Sequence, residues 1–250
     1  MKTEIFNYKN IDFAKLRFSS PRKIDNQYIS KIRIVPNNHS VSQPIYIQTP
    51  KITTTTGINK TENYCYLEVE FNPNQEAFYN FMCNVDELIV DSAFKNSDDW
   101  FNKELPREII EDFYKSPIKP GRSSDAPPKI RFKIPLKDNS IAMEIYNQHR
   151  SLIDPEDLKK GTNVTCIVEL AGVKFLKQQF TPIWNIIQIK AYLDKYSVKL
   201  SGYQFQENED SDEYDENDLP EPSIDYRMNN NSYNNNSNNN DINSEIIINK

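Results

Sequence analysis

Glycine is scarce, with five in 250 residues. Loops that cradle phosphate, and the strained turns that expose a catalytic nucleophile, are built from clustered glycines. One stretch, PGRSS at 120–124, resembles a phosphate loop, but it lacks the second glycine and the Lys-Ser/Thr pair. Histidine is scarcer still, with two residues. His39 and His149 stand in polar, loop-like surroundings and read as surface residues. No pair of Cys or His has metal-ligand spacing. The cysteines, Cys65, Cys83 and Cys166, are odd in number, widely separated and set among apolar neighbours. They read as buried free thiols in a reducing compartment. No segment approaches the roughly 18 apolar residues of a membrane span, and the opening MKTEIFNYKN has no signal-peptide core. Acids are plentiful, and two or three would serve a metal-dependent nuclease. However, DELIVD at 86–91 falls on an amphipathic helical pattern and reads as its solvated face. The expectation is a soluble intracellular protein, non-enzymatic, with no cofactor and no membrane attachment.

Charge is unevenly spread. From Gln206 onward the chain holds 12 acidic and 2 basic residues, a net of −10 against −6 for the whole, so residues 1–205 carry +4. A pI of 5.2 therefore conceals a mildly basic body joined to an acidic, Asn-rich tail. The tail holds too little apolar surface to offset its chain entropy, and residues 206–250 are expected to be disordered. The expected division is a nucleic-acid-binding domain at 1–205 and a tail at 206–250.

The body reads mainly as strands. QYISKIRIVP (27–36) places Ile32 and Ile34 on one face and Lys31 and Arg33 on the other. QPIYIQTPKI (43–52) is a second strand. NYCYLEVEF (63–71) alternates with Cys65, Leu67, Val69 and Phe71 inward and Tyr64, Tyr66, Glu68 and Glu70 outward. NPNQ then opens a helix, with Asn72 as cap, Pro73 at the first position and Gln75 completing a capping box. Phe78, Phe81, Met82, Val85, Leu88 and Ile89 keep helical spacing, so 73–91 is an amphipathic helix. A second helical segment covers Arg107 to Tyr114, and 116–128 is a Pro-rich loop. DPEDLKKG (154–161) is a short helix stopped by Gly161. TNVTCIVELAGVKFLKQQF (162–180) reads as two strands turning at Ala171-Gly172, and 183–196 reads as a final strand, with a short helix as the alternative period. The fold class is mainly β with a helical insertion at about 73–115 (α+β). The shape is a small antiparallel barrel or curved sheet, of which an OB-type barrel is one arrangement.

KIRFKIPLK at 129–137 poses the functional question. Ile130, Phe132 and Ile134 take one face, while Lys129, Arg131 and Lys133 take the other with no acid among them. Cations two apart on a strand lie about 6.5–7 Å from each other on the same side, so something should compensate them. Glu68 and Glu70 are candidate cross-strand partners. Similar faces recur at Lys31 and Arg33, at Lys174 and Lys177, and at Lys190. Aromatics are interleaved at Tyr46, Tyr64, Tyr66, Trp184 and Tyr192. Cations for phosphates and rings for bases are what sequence-tolerant single-strand binding requires. A flexible acidic tail would compete with nucleic acid for such a groove and offer an arm to basic partner proteins.

Several blocks also resemble a known family. They are PRKID (21–25), PIYIQTPKI (44–52), YLEVEF (66–71), KIRFKIP (129–135), GTNVTCIVELAGVKF (161–175) and QQFTPIWNIIQIK (178–190). Their order across about residues 20–200 is similar to that of the single-stranded-DNA-binding proteins of large nucleocytoplasmic DNA viruses, of the African swine fever type. The resemblance implies an OB-like core and single-stranded DNA, or RNA, as partner. It implies a place in viral DNA replication, repair or packaging, in a cytoplasmic viral factory or the virion, with replication proteins as partners of the tail. Two other readings are a virion scaffold protein acting through protein contacts and a metal-dependent nuclease.

Overall fold

The computed structural model describes residues 4–36, 41–62, 64–123 and 125–193. His39 and the acidic tail lie outside the described residues. Five strands close a barrel: β1 (Ile52–Thr54), β2 (Cys65–Glu70), β3 (Lys129–Lys133), β4 (Asn163–Phe175) and β5 (Phe180–Tyr192). Each pairs with the next in the order β1-β2-β3-β5-β4, and β4 returns to β1. All contacts are antiparallel except β3–β5, which is parallel with Lys133 opposite Asn185. This ring is the connectivity of an OB-like barrel.

Strand alternation builds the core. Leu67 and Val69 of β2, Ile130 and Phe132 of β3, Val164, Val168 and Leu170 of β4, and Ile186 and Ile189 of β5 all point inward and are buried. Further strands extend the barrel along β4. Tyr46–Gln48 pairs with Ile167–Glu169, and Gln27–Ile34 pairs with Gly172–Phe175. Ile5–Asn7 adds in parallel to Tyr46–Gln48, and Glu144–Tyr146 adds in parallel to β5.

Between β2 and β3 the chain detours through three helices, α1 (Glu76–Lys95), α2 (Ser97–Phe101) and α3 (Arg107–Phe113). The predicted capping box is present, although Pro73–Gln75 forms a 3-10 turn that runs into α1. Gln75 also donates to the carbonyl of Lys51, tying the helix start to β1. The expected apolar face is buried at Phe78, Phe81, Met82, Val85 and Ile89, with Leu88 half-buried. The helix runs four residues further than expected, and α2 was not anticipated.

Several expectations need correcting. The stretch 162–180 does not turn at Ala171-Gly172; β4 continues through both, and the turn falls at 176–179, where Leu176 N–H donates to the Gln179 carbonyl at 2.8 Å. Gly172 serves close approach instead, since a Cβ there would lie 2.4 Å from the Ser30 carbonyl oxygen. The single strand expected at 43–52 is two, because Thr49 and Pro50 break the ladder between Gln48 and Ile52. The final strand starts at Phe180 and ends at Tyr192. DPEDLKKG holds only a 3-10 turn at Pro155–Asp157, with Gly161 at φ +82° after it. Cys65 and Cys166 are buried free thiols, and burial pushes Cys166 up to about 12, but Cys83 is only half-buried.

DELIVD is not simply solvated. Asp91 pairs with Arg107 at 2.6 Å. The half-buried Asp86 accepts from Tyr114 Oη at 2.6 Å and Ser116 Oγ at 2.5 Å, pinning α1 to the chain after α3. Burial raises its carboxyl above the ordinary aspartate range, against the pull of those two hydroxyls. A raised carboxyl contributes stability that is full below the unfolded value and is lost as pH rises through the folded one. Asp86→Asn keeps an acceptor for Tyr114 and removes the buried charge. Denaturant midpoints measured from pH 3.5 to 7 should therefore show the variant gaining on the parent as pH rises, with no gain at the acid end.

Candidate nucleic-acid interface

The apolar alternation that fills the barrel sends the other side chains of β2 and β3 outward. Register sets Lys129 opposite Glu70, Arg131 opposite Glu68 and Lys133 opposite Tyr66. The centre of the charge row is thus compensated. Arg131 Nε donates to Glu68 Oε2 at 2.6 Å, while Thr55 Oγ1 donates to the other carboxylate oxygen at 2.9 Å. Burial raises the Glu68 carboxyl, but the Arg131 and Thr55 hydrogen bonds outweigh it and hold the group below the usual range. Lys133, by contrast, faces a ring. The Arg131 guanidinium lies 4.8 Å from the Tyr66 centroid, and the Tyr64 and Tyr66 rings are 5.2 Å apart and inclined at 33°. Tyr64 is 41% exposed, a large aromatic surface left open to solvent. The Arg131 side chain is 42% exposed and that of Glu68 16%, and an ion pair open to solvent on one side contributes on the order of 1 kcal/mol. It is a modest competitor for an arriving phosphate.

The same row continues around the barrel. Lys133 faces Asn185, Asn185 faces Glu169, and Glu169 faces Tyr46. Five side chains from Tyr66 to Tyr46, none of them buried, therefore cross five strands in one line at about 4.8 Å per step. Burial raises the Tyr46 hydroxyl, the Glu169 charge adds to this and the Arg33 charge opposes it.

A second cluster occupies the β4–β5 wall. The Tyr192 ring has Lys51 Nζ at 4.0 Å and Lys190 Nζ at 5.4 Å from its centroid. Its hydroxyl lies 3.4 Å from Thr165 Oγ1. Lys51 was missed by the sequence reading. It stands just before β1, and only the β1–β4–β5 register brings it to a residue 141 positions later. Lys31 and Lys174 sit toward the far end of β4, opposite Gly172 and Ile29, and Lys177 is at the exposed tip of the β4–β5 hairpin.

Of the thirteen candidate residues, the structure gathers Tyr64, Tyr66, Lys129, Arg131 and Lys133 on one wall and Lys190 with Tyr192 on another. It leaves Lys31, Arg33, Tyr46, Lys174 and Lys177 along the outer surface between and beyond them. Trp184 departs from expectation. It is 3% exposed and set edge-on to Phe132 at 6.4 Å, so its ring belongs to the core and offers no face to a base. Strand parity explains this, since Trp184 shares the inward phase of β5 with Pro182 and Ile186.

A family model described as a family of unknown function (DUF5871) matches residues 61–206, more than half of the chain. The uncharacterized protein L291 of Acanthamoeba polyphaga mimivirus is 24% identical over 164 residues, covering 60% of this chain; the match spans only 26% of that protein's length. Among solved structures, the single-stranded DNA-binding protein of bacteriophage Enc34 superposes with a TM-score of 0.40 at 10% identity, covering 71% of this chain and 90% of that one. The single-stranded DNA-binding protein gp2.5 of bacteriophage T7 gives 0.44 at 8% identity, covering 63% and 98%. These are distant likenesses. The OB-like assignment rests on the strand order, and the functional argument on the side chains.

Proposed function

The chain belongs to DUF5871, a family of unknown function, and from the geometry of its β2–β3 wall we propose that it is a non-enzymatic protein that binds single-stranded DNA with little sequence preference. The observation that carries this is the Tyr64–Tyr66–Arg131–Lys133 group. In OB-type barrels the face of strands 2 and 3 receives oligonucleotides, and here that face pairs open rings with cations. Tyrosine faces stack on any unpaired base at about 1–3 kcal/mol each. Cations beside them take phosphates and release counterions, about 0.7 of a log-salt unit per contact on a single strand. A duplex keeps its bases stacked on each other and offers such rings nothing. Work on viral DNA in replication, repair or packaging accords with the mimivirus relative and is part of this proposal. So is the acidic stretch after Gln206 as a competitor for the basic wall and an arm for replication proteins.

The test is fluorescence anisotropy of labelled oligo-dT, oligo-rU and an equal-length duplex, titrated with the full chain and with residues 1–205 at two salt concentrations. Binding that prefers the single strand, weakens with salt and tightens without the acidic stretch is the expected result. Equal affinity for oligo-rU would move the partner to RNA. No binding by either form would overturn the proposal in favour of a scaffold protein acting through protein contacts.

A further inference from the structure

At the tip of the β4–β5 hairpin a cavity of about 600 Å³ opens between that tip, α2 and the turn that precedes the strand Gln27–Ile34. Its floor is aromatic. Phe175 and Phe180 stack at 5.9 Å and 18°, with Trp100 edge-on to Phe175 at 5.4 Å and Phe101 edge-on to Phe180 at 5.6 Å. Phe180 and Trp100 are buried supports, and the ring surface open to the cavity is that of the half-buried Phe101, Phe113 and Phe175. On the rim stands Tyr28, the cross-strand neighbour of Phe175, with 54% of its surface exposed. Packing does not account for so open a ring.

Pro21, Leu105 and Leu176 add apolar surface, and the rest of the rim is amide and cation. Asn26, Gln27, Asn102, Gln178 and Gln179 contribute carboxamides, and Lys103 and Lys177 contribute ammonium groups. Asn26 and Asn102 hold left-handed backbone at φ +65° and +57°, so the turns themselves set their place. Among the described residues no carboxylate lines the cavity; Asp25 and Glu104, neighbours in sequence, are not part of the wall.

Each element excludes a ligand class. A cation would find no counter-charge here. A purely apolar molecule would use the ring surface but none of the five amides and two ammonium groups that stand exposed around it. A planar ring with a hydrogen-bonding edge and a negative charge satisfies all three sets of groups, because carboxamides both donate and accept and so suit any base edge. The volume lies within the range of about 300–1,000 Å³ typical of small-molecule sites.

We infer that this cavity captures one unstacked nucleotide of a bound single strand, its base against the aromatic floor and Tyr28, its phosphate toward Lys177 and Lys103. The inference rests on the single-strand reading above and adds to it a fixed point, one base held in a pocket while its neighbours lie on the open barrel wall.

The test uses the full chain with oligo-dT carrying 2-aminopurine at each position in turn. In the parent, emission should be quenched at one position where the base enters the aromatic cavity. Tyr28→Ala and Lys177→Ala, both at exposed sites that leave the fold intact, should restore that emission and weaken oligonucleotide binding about tenfold each. If the parent binds the oligonucleotide but quenching and affinity are unchanged in both variants, the cavity inference falls while the single-strand reading stands. If the parent binds no oligonucleotide, both fall. If Tyr28→Ala abolishes self-association in sedimentation and leaves oligonucleotide binding untouched, the cavity is a contact between copies of the chain and the inference is overturned.

Discussion

A chain with alanine at Lys129, Arg131 and Lys133 should bind oligo-dT about a hundredfold more weakly than the parent at about 0.1 M salt. The three side chains project from one face of β3, and each lost phosphate contact removes about 0.7 from the slope of log affinity against log salt. Three contacts remove about 2, so two binding lines that meet near 1 M salt stand about two decades apart at 0.1 M. The fold should tolerate the change. Ile130 and Phe132 keep the inward face of β3, and the Arg131–Glu68 ion pair is broken, but the carboxylate retains its Thr55 partner. Salt titration by anisotropy, with thermal melting as the control, reads both quantities. A variant with the parent's salt slope and melting point would place the phosphate path elsewhere, and the Lys51–Tyr192–Lys190 cluster would be the next wall to alter.

The largest expected effect on stability is at Gly172. A methyl group there would lie 2.4 Å from the Ser30 carbonyl oxygen and 3.2 Å from its carbon, both backbone atoms that cannot swing aside. Relief requires parting β4 from the strand Gln27–Ile34, whose register with Gly172–Phe175 holds the buried Ser30. Overpacking of this kind costs about 2–3 kcal/mol. For a domain of this size, the thermal midpoint of Gly172→Ala should fall by roughly 5–10 °C. Gly161→Ala is the informative comparison. Nothing lies within 4 Å of a Cβ at Gly161, but its φ is +82°, so only the left-handed backbone penalty of about 1 kcal/mol applies. A Gly172→Ala chain that melts with the parent would contradict the β4 pairing described above.

The same glycine shows where sequence reading stops. Period-2 alternation located β2 and β3, and the NPNQ cap located the start of the insertion, because both signals are local. Gly172 looked like a turn residue because a glycine between two apolar runs normally is one. Its actual reason, a carbonyl brought from 142 residues earlier, exists only once the strands have paired. The candidate site divides in the same way. Tyr64, Tyr66 and the β3 cations were visible from outward parity, and Glu68 was foreseen as a partner. Parity also went wrong where a bulge intervenes. The β4–β5 register slips between Ile167 and Val168, so positions along β5 cannot be counted outward from one end, and Trp184 was assigned to the surface when it lies inside. Lys51 and the hairpin-tip cavity required three separate segments to meet, which no window of sequence contains.

The ring that carries these side chains also dictates the order in which it forms. Its closure joins Thr53 to Asn163, 110 positions apart, and joins β3 to β5 through a single registered pair, Lys133 with Asn185. The β4–β5 hairpin, by contrast, closes over four residues and registers along almost its whole length. Loop entropy is met last where the separation is longest. The hairpin and α1 are therefore expected to form early and locally and the β1–β4 and β3–β5 seams to knit late, an order that φ-values at Val168 and Phe132 would check. Until they do, the inward-facing Leu67, Phe132 and Val168 are uncovered, and a nascent chain is most vulnerable to aggregation in that interval.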